Sequence, residues 1–266
     1  MIAGKISYLN NNLYYYKDGN GPKAILLFHG FGQDHLAFQP WFEPLRREYI
    51  VFSFDLFFHG SSTWTTDRPF EKEDCREIMA RFFEQEKIDR FELAGFSIGA
   101  KFVLAILELF PDRVAKVTLL APDGVRNNFW YSLATGSAPM RAIFKSMVIK
   151  PDRLNALLKV VKFLRMTDSR LLSFVQSQMD TEEKRNRVYS SWVYFRHLKF
   201  NMSGIISLTK TNKITLIVIA GRNDKIIPLQ DLESLTKHIE QKQFHIIETS
   251  HNNLIDKALE FIHVSG

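Results

Sequence analysis

The residues best placed to do chemistry form the pentapeptide Gly-Phe-Ser-Ile-Gly at 95–99, which has a serine at its centre. A serine hydroxyl is a weak nucleophile unless the chain holds it clear of its neighbours and beside a base. The apolar run at 91–94 predicts a strand before it, and the stretch 98–110 predicts a helix after it. A sharp strand-to-helix turn strains the serine backbone and exposes its oxygen. We therefore predict Ser97 as a nucleophile.

Small residues surround this serine, as such a turn requires. Gly95, Gly99 and Ala100 stand where larger side chains would collide across the turn. An attack on a carbonyl also creates a negative oxygen, which backbone N–H groups fixed in advance can stabilise. The natural pair of donors is the amide of Phe31, in the glycine loop at 29–32, and the amide of Ile98, at the start of the helix.

A nucleophilic serine needs a base, and the base needs a partner that holds its tautomer and stabilises its charged form. His251 follows the last predicted strand, and Asp224 follows the strand before it. Parallel strands that deliver side chains from their carboxyl ends bring them to one edge of the sheet. The chain order Ser, Asp, His therefore predicts a triad of Ser97, Asp224 and His251.

These features resemble the α/β-hydrolase fold family over nearly the whole chain. The resemblance rests on the loop 29–32, the loop 55–62 after the next strand, the pentapeptide 95–99, Asp224 and His251. It implies a mostly parallel sheet covered by helices on both faces, and hydrolysis through an acyl-enzyme intermediate. One position departs from the pattern, because relatives often have glycine before the histidine where this chain has Ser250.

Asp123 is an alternative to Asp224 as the acid of the triad. It follows the strand after Ser97, a place from which some members of the resembled family deliver their acid. Its Pro-Asp-Gly context is also that of an ordinary turn, which needs no catalysis to explain it. The family-like Gly-Arg-Asn-Asp run at 221–224 favours Asp224.

The order of elements agrees with this interpretation. After a hairpin over 5–16, short apolar runs predict buried strands at 24–28, 49–54, 91–94, 114–120, 214–220 and 244–247. Helical spacing predicts helices at 38–47, 72–85, 98–110, 228–240 and 253–264. Buried strands that alternate with helices are typical of an α/β fold with a doubly covered, largely parallel sheet.

The alternation stops once, between residues 125 and 211. This stretch shows helical spacing of its apolar residues and no convincing strand, and Pro139, Pro151 and the pairs 168–169 and 180–181 divide it into several helices. We predict an α/β-hydrolase core at 1–124 and 212–266 with a helical lid inserted at 125–211. Lid-containing members of the resembled family insert it at the same place.

The charge of the chain is concentrated in the same stretch. The net charge is +6, and residues 125–210 contain 15 Lys and Arg against 5 Asp and Glu. A positive surface can raise the local concentration of anionic ligands. We therefore expect a small acyl substrate that can be anionic.

Composition argues against several other classes of protein. The sequence shows no clustered metal ligands, no dinucleotide fingerprint and no basic clusters interleaved with aromatic residues, so we expect no metal, no organic cofactor and no nucleic acid partner. It shows no run of membrane-spanning length and no signal-peptide pattern. The single cysteine, Cys75, makes a reducing cytoplasm the simplest location. We expect a monomer or homodimer.

The predicted reaction is hydrolysis of a carboxylic ester with a small to medium acyl group. Family members with similar triads also cleave thioesters or carbon–carbon bonds, or act as menaquinone-pathway lyases, so these alternatives stay open. A hydrolase-like protein that binds a ligand without turning it over is a further alternative. An intact triad argues against it.

Overall fold

The computed structural model describes residues 1–126, 129–163 and 176–262. Its largest element is an eight-stranded sheet. The strands are β1 (Ile2–Tyr8), β2 (Asn11–Asp18), β3 (Lys23–Phe28), β4 (Tyr49–Phe54), β5 (Phe91–Phe96), β6 (Val114–Leu120), β7 (Thr215–Gly221) and β8 (Phe244–Ile247). They lie in the order β1-β2-β4-β3-β5-β6-β7-β8.

The sheet is mostly parallel. The hairpin β1–β2 and the pair β2–β4 are antiparallel, and every other pair is parallel. Each apolar run predicted after the hairpin is a strand, so the α/β fold with a largely parallel sheet is confirmed. All residues of β3 and β7 except the first are buried, which explains why these strands are continuously apolar.

The strand order reverses beside β3, and this reversal determines where a site can form. The chain passes from β3 to β4 on one side, and β5 pairs with β3 on the other, with Phe28 opposite Gly95. Loops that leave neighbouring strands in opposite directions open a crevice at the carboxyl ends of those strands. The loop after β3 and the turn after β5 both begin there.

Helices connect the strands. They are α1 (Gln39–Leu45), α2 (Lys72–Glu86), α3 (Gly99–Leu109), α4 (Phe129–Gly136), α5 (Ala138–Ile149), α6 (Pro151–Phe163), α7 (Glu182–Tyr194), α8 (Met202–Thr211), α9 (Glu233–Thr236) and α10 (Leu254–Ala258). The long helices predicted at 72–85 and 98–110 are present with small shifts at their ends.

Two predicted helices are wrong as continuous elements. The stretch 228–240 contains a 3₁₀ turn at Leu229–Leu232 followed by the single turn of α9, and only Leu232 and Leu235 are buried in these two turns. So little packing supports only a short helix, because helices in water depend on the burial of an apolar face. The stretch 253–264 contains α10 and then a 3₁₀ turn at Leu259–Phe261, and residues 263–264 lie outside the described residues.

The larger compact unit comprises Met1–Arg126 and His197–Gly266. Its core includes Trp41, which is fully buried and donates a hydrogen bond from Nε1 to the Ile255 carbonyl at 2.9 Å. This contact anchors α10, the helix that begins three residues after His251. The core therefore holds in place the segment that carries the predicted base.

Residues Asn127–Arg196 form a second compact unit, and its described elements are the helices α4 to α7. An aromatic cluster lies inside it, because the Phe144 ring is 5.4 Å from Tyr189 and 5.7 Å from Trp192. The Tyr131 hydroxyl donates to the Trp192 carbonyl at 3.2 Å. These contacts join the first helix of the unit to the last.

The predicted helix breaks in this region agree with the structure where it is described. Pro139 lies in the first turn of α5, Pro151 begins α6, and Thr181 caps α7 by accepting a hydrogen bond from the Lys184 amide. The pair 168–169 lies outside the described residues. The second unit ends before α8, so it is shorter than the stretch 125–211, whose role as a lid stays a prediction.

Among the described residues, no helix combines the length and the apolar character needed to cross a membrane.

Candidate active site

Ser97 occupies the turn between β5 and α3 with a backbone φ of +52°. This left-handed conformation is unusual for a residue other than glycine and marks a strained position. The Ser97 amide donates to the Leu120 carbonyl at 2.9 Å, and the Ser97 carbonyl accepts from the Asp123 amide at 3.0 Å. The end of β6 therefore holds both backbone polar groups of the serine.

The turn is possible only with small residues on either side of the serine. A Cβ on Gly99 would lie 2.1 Å from the Phe28 carbonyl oxygen, and one on Gly95 would lie 2.7 Å from a methyl group of Val103. Real Cβ atoms do not approach other atoms so closely. The close approach of the start of α3 to the end of β3 thus depends on glycine, as the sequence pattern predicted.

His251 and Asp224 form a buried hydrogen-bonded pair. The Nδ1 atom of His251 lies 2.6 Å from Oδ2 of Asp224, and the two residues are 8% and 3% exposed. The other carboxylate oxygen of Asp224 accepts from the amides of Ile226 and Ile227 at 2.8 and 2.9 Å. Because the carboxylate accepts the Nδ1 proton, the Nε2 atom of the imidazole is the one left to act as a base.

The two loops that carry this pair are fastened to each other. The Arg222 amide donates to the Ile247 carbonyl at 2.8 Å, and the Asn223 amide donates to the Thr249 carbonyl at 3.0 Å. These bonds extend the pairing of β7 and β8 beyond the strands. They fix the spacing between the acid and the histidine through the backbone.

The histidine lies at the same edge of the sheet as the serine turn. Its ring centre is 4.7 Å from that of Phe96, the residue directly before Ser97. Three segments that are far apart in the sequence therefore end in one neighbourhood. This edge therefore holds the three kinds of side chain that nucleophilic catalysis by serine uses, a hydroxyl, an imidazole and a carboxylate.

Asp123 makes different contacts from Asp224. Its Oδ2 atom lies 3.1 Å from the Lys101 ammonium, and its Oδ1 atom accepts from the Gly124 amide at 2.7 Å. The Nδ1 atom of His251 is instead directed to Asp224. This geometry favours Asp224 over Asp123 as the acid.

The two amides predicted as oxyanion donors, those of Phe31 and Ile98, belong to the loop after β3 and the turn before α3. Neither amide donates a hydrogen bond to another of the residues that the structure describes. The Gly30 amide next to Phe31 donates to Oε1 of Gln33 at 2.9 Å, which braces the loop. The assignment of these two amides as oxyanion donors stays a prediction.

Histidine and aspartate side chains organise the neighbouring loops. The Nε2 atom of His29 accepts from the Leu56 amide at 3.0 Å and its Nδ1 atom donates to the Gly30 carbonyl at 2.7 Å, which joins the loops after β3 and β4. The buried carboxylate of Asp55 accepts from the His35 ring and from the Ser61 amide, each at 2.8 Å. Such residues shape the site without facing the reaction.

Two residues with a clear structural role were not singled out from the sequence. Gln33 braces the glycine loop, and nothing in its local pattern indicates this. Lys101 pairs with Asp123, and here a signal existed, because it is a lysine inside the otherwise apolar first half of α3.

The described residues include no group of three or more His, Cys, Asp and Glu side chains arranged to hold a metal ion. Cys75 is buried, and its burial raises the pKa of the thiol to about 12, which keeps it protonated and unreactive at neutral pH.

Comparisons with known proteins agree with the fold. Residues 23–148 match the family model described as alpha/beta hydrolase fold. The chain is 23% identical to 3-oxoadipate enol-lactonase 1 of Acinetobacter baylyi, over 92% of this chain and 89% of the relative. It is 26% identical to the poly(3-hydroxyalkanoate) depolymerase of Ectopseudomonas oleovorans, over 88% and 80%.

A thermophilic esterase from Thermogutta terrifontis has a similar structure, with a TM-score of 0.71 and 16% identity over 98% of this chain and 97% of that one. At that identity the similarity shows the fold. Together, the order of the strands and the match of residues 23–148 to the family model show that the chain has the α/β-hydrolase fold.

Proposed function

We propose that the protein is a serine hydrolase that cleaves carboxylic esters of small to medium acyl groups through an acyl-enzyme intermediate. The observation that carries the proposal is the buried His251–Asp224 pair at 2.6 Å, at the edge where Ser97 occupies a strained turn. A serine in a strained turn and an oriented imidazole at the same edge of the sheet are the groups that nucleophilic catalysis by serine requires.

In the first step the Ser97 oxygen attacks the ester carbonyl while Nε2 of His251 takes the hydroxyl proton. The imidazolium that forms is stabilised by the Asp224 carboxylate, which stays ionised. The amides holding Oδ1 of Asp224 prevent the carboxylate from rotating away. The alcohol then leaves with the proton from His251.

The negative oxygen of the tetrahedral intermediate accepts hydrogen bonds from the Phe31 and Ile98 amides. The loss of one such donor typically lowers kcat by about two to three orders of magnitude. In the second step His251 activates water, which attacks the acyl-enzyme and releases the carboxylic acid. The cycle needs no metal and no organic cofactor.

Two observations support an ester as the bond that is cleaved. The relatives of similar length include an enol-lactonase, and an esterase shares the fold. The positive charge of the stretch 125–210 also favours substrates that carry an anionic group. Thioester cleavage and carbon–carbon bond cleavage use the same machinery and are the alternatives that a substrate panel separates.

The first test is covalent labelling of the nucleophile. We expect a fluorophosphonate to label the wild-type protein at Ser97, and Ser97→Ala to lose both labelling and turnover of whichever substrate is cleaved. Ser7 is an exposed residue on β1, far from Ser97. The variant Ser7→Ala therefore serves as the control and should label normally. Full activity in Ser97→Ala would refute the mechanism.

The second part of the test identifies the substrate class. The wild-type protein is assayed with esters of increasing chain length, each in a neutral and a carboxylated form, with acyl-CoA thioesters and with a ring-fission diketone. We expect the esters to give the highest kcat/KM, and the carboxylated esters to lose kcat/KM as salt is raised. Equal rates at low and high salt would contradict the preference for anions.

A further inference from the structure

An ion pair between a buried lysine and a partly exposed aspartate lies next to the serine turn. Lys101 belongs to the first turn of α3 and is only 4% exposed, and its ammonium lies 3.1 Å from Oδ2 of Asp123. Removing a lysine charge from water is unfavourable unless a counter-charge accompanies it. The ion pair with Asp123 therefore stabilises the buried position of the Lys101 ammonium.

Asp123 is bound to the serine through the backbone. Its amide donates to the Ser97 carbonyl at 3.0 Å, while the Ser97 amide donates to Leu120 at 2.9 Å. The residue between them in this segment, Ala121, has a φ of +40°, and its amide donates to Ile219 on β7 at 2.8 Å. The segment 120–123 is thus itself strained while it clamps Ser97.

Two residues with positive φ, Ser97 and Ala121, lie in segments joined by two hydrogen bonds. Such conformations persist only where the surrounding contacts over-determine them. The Lys101 side chain supplies one of these contacts, because it ties the first turn of α3 to the clamping segment. Its own amide also donates to the Ile98 carbonyl at 3.1 Å, next to the predicted oxyanion donor.

We propose that the Lys101–Asp123 ion pair is a positioning device that holds the Ser97 oxygen and the Ile98 amide in their reactive geometry. The inference rests on the proposed function, because it concerns the same site. Neither residue touches the reacting atoms. The ion pair acts by joining the segment 120–123, which holds the Ser97 backbone, to the first turn of α3.

The expected effect is a fall in kcat with little change in KM, because binding does not depend on the pair. A misplacement of about 1 Å at a catalytic group can cost about 100-fold in rate. We expect Lys101→Met and Asp123→Asn each to lower kcat by about 10- to 100-fold. The double variant should be no worse than either single variant, because both remove the same interaction.

Conservative and matched variants make the test specific. Lys101→Arg keeps the charge and should retain more activity than Lys101→Met. Asp74→Asn is the control, because Asp74 is another buried carboxylate. It lies in the first turn of α2 and accepts two hydrogen bonds of 2.6 Å from the Arg68 guanidinium. This variant should lower the melting temperature and leave kcat within about twofold.

The measurements are kcat and KM on one ester, the rate of fluorophosphonate labelling at Ser97, and the melting temperature of each variant. Lys101→Met should fold, since it leaves Asp123 with a side chain already 32% exposed to solvent. Wild-type kcat and labelling rate in Lys101→Met would overturn the inference. A loss in Asp123→Asn far larger than in Lys101→Met would also overturn it, because Asp123 would then act in the chemistry.

These outcomes are distinct from a failure of the proposed function. If the wild-type protein itself is neither labelled nor active, the serine mechanism is wrong, and the inference fails with it. If the wild-type protein is active and the Lys101 variants match it, only the inference fails.

Discussion

The two edges of the sheet both bury polar side chains, and they use them differently. At the carboxyl edge, Ser97, Asp224 and His251 lie on turns and loops that leave the strands. At the amino edge, Glu92 and Lys116 sit opposite each other within β5 and β6. The carboxyl edge therefore presents the proposed catalytic groups on loops, whereas the amino edge uses its polar side chains to join strands to the elements around them.

The contacts of the amino edge illustrate this second role. The Lys116 ammonium donates to the Ile262 carbonyl at 2.6 Å, and Glu92 accepts from the Tyr49 hydroxyl at 3.1 Å. The Arg113 guanidinium donates to the carbonyls of Ile88 and Asp89 and lies 4.4 Å from the Phe83 ring centre. Each of these side chains contacts a backbone carbonyl, a hydroxyl or an aromatic ring of the surrounding structure.

Backbone conformation shows the same contrast. Lys87 and Lys213, before β5 and β7, have φ values of +55° and +54° and follow the ends of α2 and α8. A left-handed residue is a common way to close a helix. Ser97, at +52°, adopts the same conformation immediately before a helix begins. The same left-handed conformation therefore closes helices at the amino edge and presents a hydroxyl at the carboxyl edge.

The sharpest test of this contrast is the exchange Asp224→Asn. The asparagine can keep an oxygen for the amides of Ile226 and Ile227, but it cannot hold the imidazole in the required tautomer or stabilise its charge. Loss of the equivalent carboxylate in a serine triad lowers kcat by about 10⁴-fold. We expect a loss of that order in ester turnover, with the melting temperature little changed.

Asp123→Asn provides the comparison within the same edge. It should lose at most about 100-fold, as argued for the positioning pair. A larger loss in Asp123→Asn than in Asp224→Asn would show that the acid comes from the end of β6, and would reverse the assignment.

The sequence was sufficient to predict the fold, and it also pointed to a small set of candidate site residues. The pentapeptide around Ser97 has a local requirement for small residues, which the approach of Gly99 to Phe28 explains. The runs that form β3 to β7 are almost wholly buried in the sheet, so they are strongly apolar, whereas β8 is only partly buried. Patterns of this kind depend on neighbours along the chain or on burial alone, so they can be recognised from the sequence.

What the sequence could not decide depends on contacts between distant segments. The choice between Asp123 and Asp224 required knowing that Lys101 reaches one of them and His251 the other. The wrong prediction of a continuous helix at 228–240 has a similar cause. The number of its turns that become buried depends on the rest of the core, which is distant in the sequence. Pairing and local burial arise only when the chain has folded.

A second test concerns the amino edge and uses Arg113→Met. Methionine keeps an apolar stem over the Phe83 ring but removes the donors to the Ile88 and Asp89 carbonyls. Hydrogen bonds from charged groups contribute about 1.5–3 kcal/mol each when they are well formed and less when solvent reaches them. We expect the free energy of unfolding to fall by about 1–3 kcal/mol, measured by denaturant titration.

The same variant should leave kcat within about twofold, because Arg113 lies at the opposite end of the strands from Ser97. A loss of activity comparable to that in Lys101→Met, at unchanged stability, would break the separation of the two edges.

The smallest expected effect is a change in the pH dependence of stability in Glu92→Gln. Burial raises the pKa of Glu92 above its ordinary value of 4.5, against the opposing effect of the Lys116 charge. Between 4.5 and the raised pKa the folded protein binds more protons than the unfolded chain, so wild-type stability falls as pH rises through this interval. Glutamine does not titrate and should lack this fall. The difference in unfolding free energy, variant minus wild type, should therefore increase from pH 4.5 upward and become constant once Glu92 is ionised in the folded state. A difference that stays constant would mean that folding leaves the pKa of Glu92 unchanged, and would contradict the prediction. A difference that decreases with pH would mean that the folded state favours the carboxylate. The amino edge would then be an ion-pair network built around its charges rather than a place where a buried acid is tolerated for the sake of the contacts around it.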